Sequence, residues 1–267
     1  MVLHPLPSGG RDQQRRAPIA AWQAVEQRQR QSADAWWLVA QTDHAALAGD
    51  LAARLDFSSI PALSGHVIRA IALHDAGWAQ FDNKDHLATA AKPAPSGVEG
   101  AVMTTPKSFL AIAPAQFLIA WTDSINAAAS TGPAGELIVS EHFCRLARNR
   151  LASRSDSQQD KHRLEEFLSN EACRQARLRA GSQQSPEQLE VLTDILQFCD
   201  LASLYLCCGA DEPAEFPQQF GGSKIRVDCE GDAFLFTPPV FGRGTALGVS
   251  VRSYPAGRVS SLPFLLT

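Results

Sequence analysis

The sequence predicts a mainly α-helical fold that ends in a small β-rich segment. Between about residues 42 and 209, apolar residues recur every three or four positions, which is the spacing of amphipathic helices. After Gly209 the pattern changes, because apolar and polar residues alternate from Ile225 to Cys229, and such alternation is typical of strands. We therefore expect a bundle of about six helices with a β appendage packed on it.

These patterns divide the chain into three segments. Residues 1–34 are predicted to be a partly disordered leader, because several Pro and Gly residues are followed by a polar, basic run. Residues 35–210 are predicted to form the helical domain. Residues 211–267 are predicted to form the β-rich appendage, which is too small to be stable alone and should pack on the bundle.

In the first third of the chain, residues 19–30 are compatible with a helix. The apolar run 36–40 is compatible with a strand or with the approach to a helix. Thr42 is expected to cap a helix whose leucines follow at four-residue spacing. Ser64 is expected to cap the next helix, which should end near a solvated Asp82.

The middle of the chain predicts further helices. A Pro- and Gly-rich loop over residues 83–104 precedes a helix over residues 105–129, which Pro114 is expected to kink or interrupt. The helices that follow are expected over residues 134–151, 161–180 and 185–209. Strands should then continue to the C-terminus.

Composition and charge limit the class of protein. Hydrophobic residues make up 45% of the sequence and charged residues 19%, which is typical of a folded globular protein. The formal net charge of -4 shows no basic excess, so we do not expect a nucleic-acid polymer as a partner. The apolar run from Phe109 to Trp121 is shorter than the about 20 residues of a membrane span, so no membrane is expected either.

The cysteines predict the compartment. The sequence contains 6 of them, and no two form a C-x-x-C pair. Free buried thiols of this kind are typical of a reducing cytoplasm, so we expect a cytoplasmic protein.

A set of His and Asp residues stands out because of the helices on which it is placed. His44 lies in the first turn of one predicted helix, and His74 and Asp75 are adjacent near the end of the next. Asp200 lies within the apolar stretch ILQFCDLA, where a carboxylate is costly unless it is paired or binds a metal ion. Two alternatives remain open for Asp200, which are exposure to water on a helix face and pairing with an arginine.

The order of these residues resembles the HD superfamily of metal-dependent phosphohydrolases. The surrounding strings QTDHAALAGDLA, HDAGW, VSEHFCRLA and CDLASLYLC also resemble a bacterial family of unknown function, family 3891, from about Trp36 to the C-terminus. The HD resemblance implies an HD-type helical bundle that binds one divalent metal ion through His44, His74, Asp75 and Asp200. Such a ligand set suits Mn²⁺, Fe²⁺, Ni²⁺ or Mg²⁺.

The same resemblance implies hydrolysis of a small phosphorylated molecule, either a phosphomonoester or a nucleotide. Asp75 and His142 are then the candidate catalytic residues, with His142 as proton donor or phosphate contact. Trp78 shares a helix face with His74 and is expected to wall the substrate pocket. Lys107 and Arg145 are expected to neutralise the phosphate.

Two other functions remain open. An HD-type iron oxygenase would require two additional histidines for a second ion. Only His142 is well placed for this, because His162 lies in a charged stretch. A non-catalytic sensing or binding module on the same scaffold is the other alternative. The sequence indicates neither the substrate nor the oligomeric state.

Overall fold

The computed structural model describes residues 1–6, 17–82, 107–153, 156–181 and 184–267. The α-helices in these ranges are α1 (Ala21–Gln29), α2 (Gln41–Ala52), α3 (Gly65–Ala72), α4 (Ala79–Asp82), α5 (Pro114–Ala128), α6 (Pro133–Ala152), α7 (Gln158–Gly181) and α8 (Pro186–Cys207). The strands are β1 (Val2–Pro5), β2 (Ile19–Ala20), β3 (Trp36–Val39), β4 (Ala214–Phe220), β5 (Ser223–Glu230), β6 (Ala233–Thr237), β7 (Thr245–Tyr254) and β8 (Val259–Leu266). The loop predicted over residues 83–104 lies outside the described residues.

These strands form one 8-stranded sheet in the order β1-β3-β7-β8-β6-β5-β4-β2. The sheet is mixed and curled, because β2 pairs with β4 and β6 pairs with β8 in parallel, whereas the other neighbours are antiparallel. It draws strands from the leader segment, from residues 36–39 and from the C-terminal segment. The first and last parts of the chain therefore meet in one sheet.

The prediction of a mainly α-helical, HD-type bundle with a small C-terminal β appendage, and with it the idea of an all-α protein, is wrong. Alternation in the sequence indicates the strands after Gly209, but it does not indicate that β1, β2 and β3 join them. Each of those three strands has 4 residues or fewer. Runs this short do not distinguish a strand from a helix, and nothing local identifies their partners.

Helix α8 is packed directly on the sheet. The ring centroid of Phe198 lies 5.0 Å from that of Phe216 and 5.8 Å from that of Phe220, both on β4. It lies 6.4 Å from the ring of Phe236 on β6 and 6.2 Å from that of Phe241. We call these five residues the aromatic seam. Because the seam fixes one face of α8 against the sheet, another face of the helix is available to the remaining helices.

The first residues of the helices show which of the predicted caps and helix breaks are correct. The predicted cap at Ser64 is confirmed, since its side chain accepts a hydrogen bond from the backbone N–H of Val67. Thr42 is not a cap, because α2 begins at Gln41. Pro114 does not kink a helix but begins α5, where its missing N–H costs nothing because the first N–H groups of a helix have no intrahelical partner.

Candidate metal centre

Four segments of the chain bring the predicted metal ligands and His142 close together. His44 lies in the first turn of α2, and His74 and Asp75 lie in the turn that follows α3 and its C-cap residue Leu73. His142 is on α6 and Asp200 is on α8. The three histidines are each 1% exposed, Asp75 is 6% exposed, and the side chain of Asp200 is 14% exposed. The centre is therefore almost fully removed from solvent.

The side chains of this centre are in direct contact. His44 Nε2 lies 2.8 Å from Asp75 Oδ2, and His74 Nε2 lies 3.2 Å from Asp200 Oδ1. The other Asp200 oxygen lies 3.8 Å from His142 Nε2. Among the described residues, two groups of three have candidate ligand atoms that all lie within 4.8 Å of one another. They are His44, His74 and Asp75, and His74, His142 and Asp200.

Hydrogen bonds fix the orientation of two of the imidazole rings. His74 Nδ1 lies 2.7 Å from the carbonyl oxygen of Ile71 and must donate to it. The Ser203 hydroxyl donates to the Asp200 carbonyl at 2.7 Å, so it accepts from His44 Nδ1 at 3.0 Å. Both rings thus carry a proton on Nδ1 and turn Nε2 towards the carboxylates. Metal-bound histidines have this same arrangement, with the second nitrogen donating to an outer acceptor.

The buried charges shift the pKa values strongly. Burial by itself would lower the pKa of His74, but Asp75 and Asp200 outweigh it and raise that pKa to about 9. Burial would raise the pKa of Asp200, but the hydrogen bond from His74 and the nearby imidazoles lower it to about 2. Burial lowers the pKa of His142 to about 4, so this imidazole is neutral at pH 7.

Two close backbone approaches hold these segments together. A Cβ atom at Gly49 would lie 2.5 Å from that of Ala72, so only glycine lets α2 approach the end of α3 this closely. A Cβ atom at Gly77 would lie 2.1 Å from the carbonyl oxygen of Ala120 on α5. The backbone N–H of Gly77 also donates to Ser124 Oγ at 2.9 Å. The segment that carries His74 and Asp75 is therefore pinned against α5.

Asp82 has a structural role that the sequence does not indicate. It is 4% exposed, so the expectation of a solvated helix end is wrong. Its carboxylate accepts a 2.7 Å hydrogen bond from the backbone N–H of Gln41 and a further one from that of Thr42. A carboxylate at this position satisfies unpaired N–H groups of α2 and complements the helix dipole. It fixes the turn on which His44 lies.

The centre opens into a cavity of about 480 Å³. All five centre residues line it, and so does Trp78. The prediction of a single helix that carries both His74 and Trp78 as far as Asp82 is wrong, because α3 ends at Ala72 and a turn follows. Lys107 is exposed and Arg145 pairs with Asp194 at 2.5 Å, and neither is among the described residues that line the cavity. The structure thus brings Trp78 to the centre, but not the two cations that were expected to bind phosphate.

Residues of the predicted leader also line this cavity. Trp22, Glu26 and Arg30 come from α1 and the residue that follows it, at four-residue spacing. That spacing places them on one helix face and was the available signal, but the polar composition of the segment obscured it. Gln41 and Arg150 are further lining residues that the sequence did not single out.

A second cavity of about 570 Å³ adjoins the first and shares His142 and Asp200 with it. Polar side chains of α8 and β4 contribute to its lining, namely Asp194, Gln197, Gln218 and Gln219. His142 and Asp200 therefore lie where the two cavities adjoin.

Comparisons with known proteins identify the family and leave the activity open. The family described as protein of unknown function (DUF3891) matches residues 29–255. Searches of curated proteins and of solved structures found no match. Within the described ranges, no helix has the length and apolar character of a membrane span. Since the family match covers most of the sequence and includes every residue of the centre, the chain belongs to the DUF3891 family.

Proposed function

We propose that the chain is a metal-dependent hydrolase of a small phosphorylated molecule and uses a single divalent ion. The observation that carries the proposal is that His44, His74 and Asp75 form one group of candidate ligands beside a cavity, and that Asp200 joins them through its contact with His74. Their order along the chain resembles the ligand order of HD phosphohydrolases. This likeness concerns the site alone, because the sheet differs from an HD-type bundle.

The donor set fits a divalent ion. Two imidazoles present Nε2, and two carboxylates lie within 3.2 Å of them. Nitrogen and oxygen donors in this mixture suit Mn²⁺, Fe²⁺, Ni²⁺ or Mg²⁺. Such an ion would lower the pKa of a bound water molecule and polarise a phosphoryl oxygen.

One ion is favoured over two. The two groups of candidate ligands overlap at His74, whose Nδ1 is already bonded to the carbonyl of Ile71. His74 therefore offers one ligand atom and cannot serve two separate ions. This supports the hydrolase over an iron oxygenase with two ions. A non-catalytic module is the other alternative, and a metal-loaded protein without turnover would favour it.

The protein's own side chains would position the substrate. His142 faces both cavities and is neutral at pH 7 because burial lowers its pKa to about 4. A neutral imidazole can donate a hydrogen bond to a phosphoryl oxygen, whereas it is a poor proton donor to the leaving oxygen. We therefore assign His142 to stabilisation of the phosphoryl group and not to general acid catalysis. Asp75 lies 2.8 Å from His44 Nε2 and would serve as a ligand beside it.

Elemental analysis tests the metal. Protein purified without an affinity tag should contain about one equivalent of a divalent ion per chain, and Asp200→Ala should lose it because a ligand is deleted. His162→Ala is the matched control, since His162 lies on α7 with a side chain that is 71% exposed. Equal metal content in Asp200→Ala and His162→Ala would overturn the proposal.

Turnover tests the reaction. The protein should hydrolyse a member of a phosphomonoester and nucleotide panel, and His142→Ala should lower turnover by about 10²–10³-fold, as expected for the loss of one such donor. Metal content should stay near that of the unmodified chain. If His142→Ala instead loses half of the bound metal, two ions are present and the oxygenase is favoured.

A further inference from the structure

The cavity beside the metal centre has an aromatic wall that leads away from the ligands. The rings of Phe117 and Trp121 have centroids 4.5 Å apart, and those of Trp121 and Phe143 are 5.0 Å apart and stacked. Phe143 in turn lies 4.9 Å from the ring of His142. All four residues line the cavity. A continuous row of rings thus extends from the metal centre.

The mouth of the cavity continues this apolar character. Trp22 is 43% exposed although it is a large apolar residue, and its ring packs edge-on against Phe109 at 6.3 Å. Both side chains line the cavity, together with Leu146 of α6. An exposed tryptophan at the edge of a cavity is typical of a binding site for an aromatic or aliphatic group.

The charges in the cavity do not suit a polyanion. Apart from the histidines of the centre, the cationic side chains among the described residues that line it are Arg30 and Arg150. Arg30 pairs with Glu26 at 2.7 Å, and Arg150 makes two 2.6 Å hydrogen bonds to Asp156. Each arginine is therefore already matched by an acid. Sites that bind chains of phosphates instead direct unneutralised cations towards them.

The dimensions of the cavity suit a small molecule that carries a larger organic group in addition to its phosphoryl group. A volume of about 480 Å³ lies within the range of small-molecule sites, roughly 300–1,000 Å³. His142, Leu146 and Arg150 line the cavity at successive four-residue steps of α6, which span about 12 Å at about 1.5 Å per residue. A bare phosphate would leave most of this length empty.

We propose that the substrate is a phosphomonoester that carries one phosphoryl group on an aromatic or aliphatic body, and not a nucleoside polyphosphate. This inference rests on the hydrolase function proposed above, since the phosphoryl group is placed at the metal centre. The aromatic wall binds the body of the substrate. The preference for that body comes from these rings and from Trp22, Phe109 and Leu146 at the mouth of the cavity, and it does not depend on the metal.

Binding of two phosphonates that resist hydrolysis tests this proposal. Benzylphosphonate and methylphosphonate differ by a phenyl ring, and isothermal titration calorimetry measures both with Mn²⁺ present and again after chelation. Benzylphosphonate should bind about 10-fold to 100-fold more tightly, because burying such a ring contributes a free energy of that order. ATP should bind less tightly than benzylphosphonate.

Two variants test which residues cause the preference for benzylphosphonate over methylphosphonate. Trp22→Ala should reduce the ratio of the two affinities at least about threefold, because an aromatic contact is lost. Ile119→Ala is the matched control, since Ile119 is an exposed apolar residue on α5 that is not among the lining residues, and it should leave the ratio unchanged. If Trp22→Ala fails to fold, Leu146→Ala replaces it.

The outcomes separate this inference from the proposed function. Equal affinities, tighter binding of ATP, or no binding of either phosphonate would overturn the substrate class. A preference for benzylphosphonate without hydrolysis of benzyl phosphate by any metal-loaded form would support the proposed binding site. It would contradict the proposed hydrolase activity. Hydrolysis of methyl and benzyl phosphates with equal kcat/KM would support the proposed hydrolase activity. It would contradict the proposed preference for a substrate with an apolar body.

Discussion

Helix α8 takes part in two buried regions of opposite character. Phe198 joins the aromatic seam against the sheet, and two residues later Asp200 joins the metal centre. The seam removes apolar rings from water and so stabilises the fold. The centre removes two carboxylates and three imidazoles from water, which costs free energy unless they are paired or bound to an ion. Stability is therefore concentrated on one face of this helix and chemistry on the other.

The largest stability effect should come from the seam. Phe198→Ala removes a ring that is 0% exposed, and we expect the free energy of unfolding to fall by about 3–5 kcal/mol. Val191→Ala on the same helix, where the side chain is 37% exposed, should change it by less than about 0.5 kcal/mol. Urea denaturation followed by circular dichroism measures both.

The number of unfolding transitions shows whether the helices and the sheet unfold together. If the seam joins helices and sheet into one core, Phe198→Ala should unfold in one cooperative step. Two separated transitions would mean that the sheet is a unit of its own, and the seam would then not be the main source of stability.

A smaller effect should come from the support of the metal centre. Gly77→Ala places a methyl group against the α5 backbone, so we expect a loss of about 1–3 kcal/mol in stability and weaker metal binding. Gly65→Ala is the matched control, since a Cβ atom there meets nothing within 4 Å. The control should be neutral or stabilising by up to about 1 kcal/mol. Equal behaviour of the two variants in thermal denaturation would contradict the close approach.

The smallest effect should come from the ion pair at the far end of the cavity. The hydrogen bond from Arg150 lowers the pKa of Asp156 below its usual 3.8, so the pair stabilises the folded protein above that pH. The contribution is lost as the pH falls through the lowered value. Asp156→Asn should cost less than about 1 kcal/mol at pH 7. Its difference from the unmodified chain should shrink below pH 3.8, and a difference that grows there would contradict the assignment.

The two regions also differ in how far the sequence predicts them. A carboxylate within an apolar helix is unusual enough to draw attention to Asp200, and the order of the histidines pointed to the same centre. Phe198 in an apolar helix is ordinary, so nothing in the sequence indicated which partners its ring would meet. The long helices were predictable from their periodicity, whereas the sheet depended on pairing between residues 2–5 and 36–39, which local patterns do not specify.

The pairing of β1 with β3 has a practical consequence for anyone who shortens this chain. Residues 1–34 resemble a dispensable leader, but they supply an edge strand and the helix that carries Trp22. A product that starts at residue 35 would expose the hydrogen-bonding edge of β3 and uncover Trp36 and Leu38, which pack with Met1 and Leu3. Open strand edges recruit other chains, so such a product would be prone to aggregation during expression.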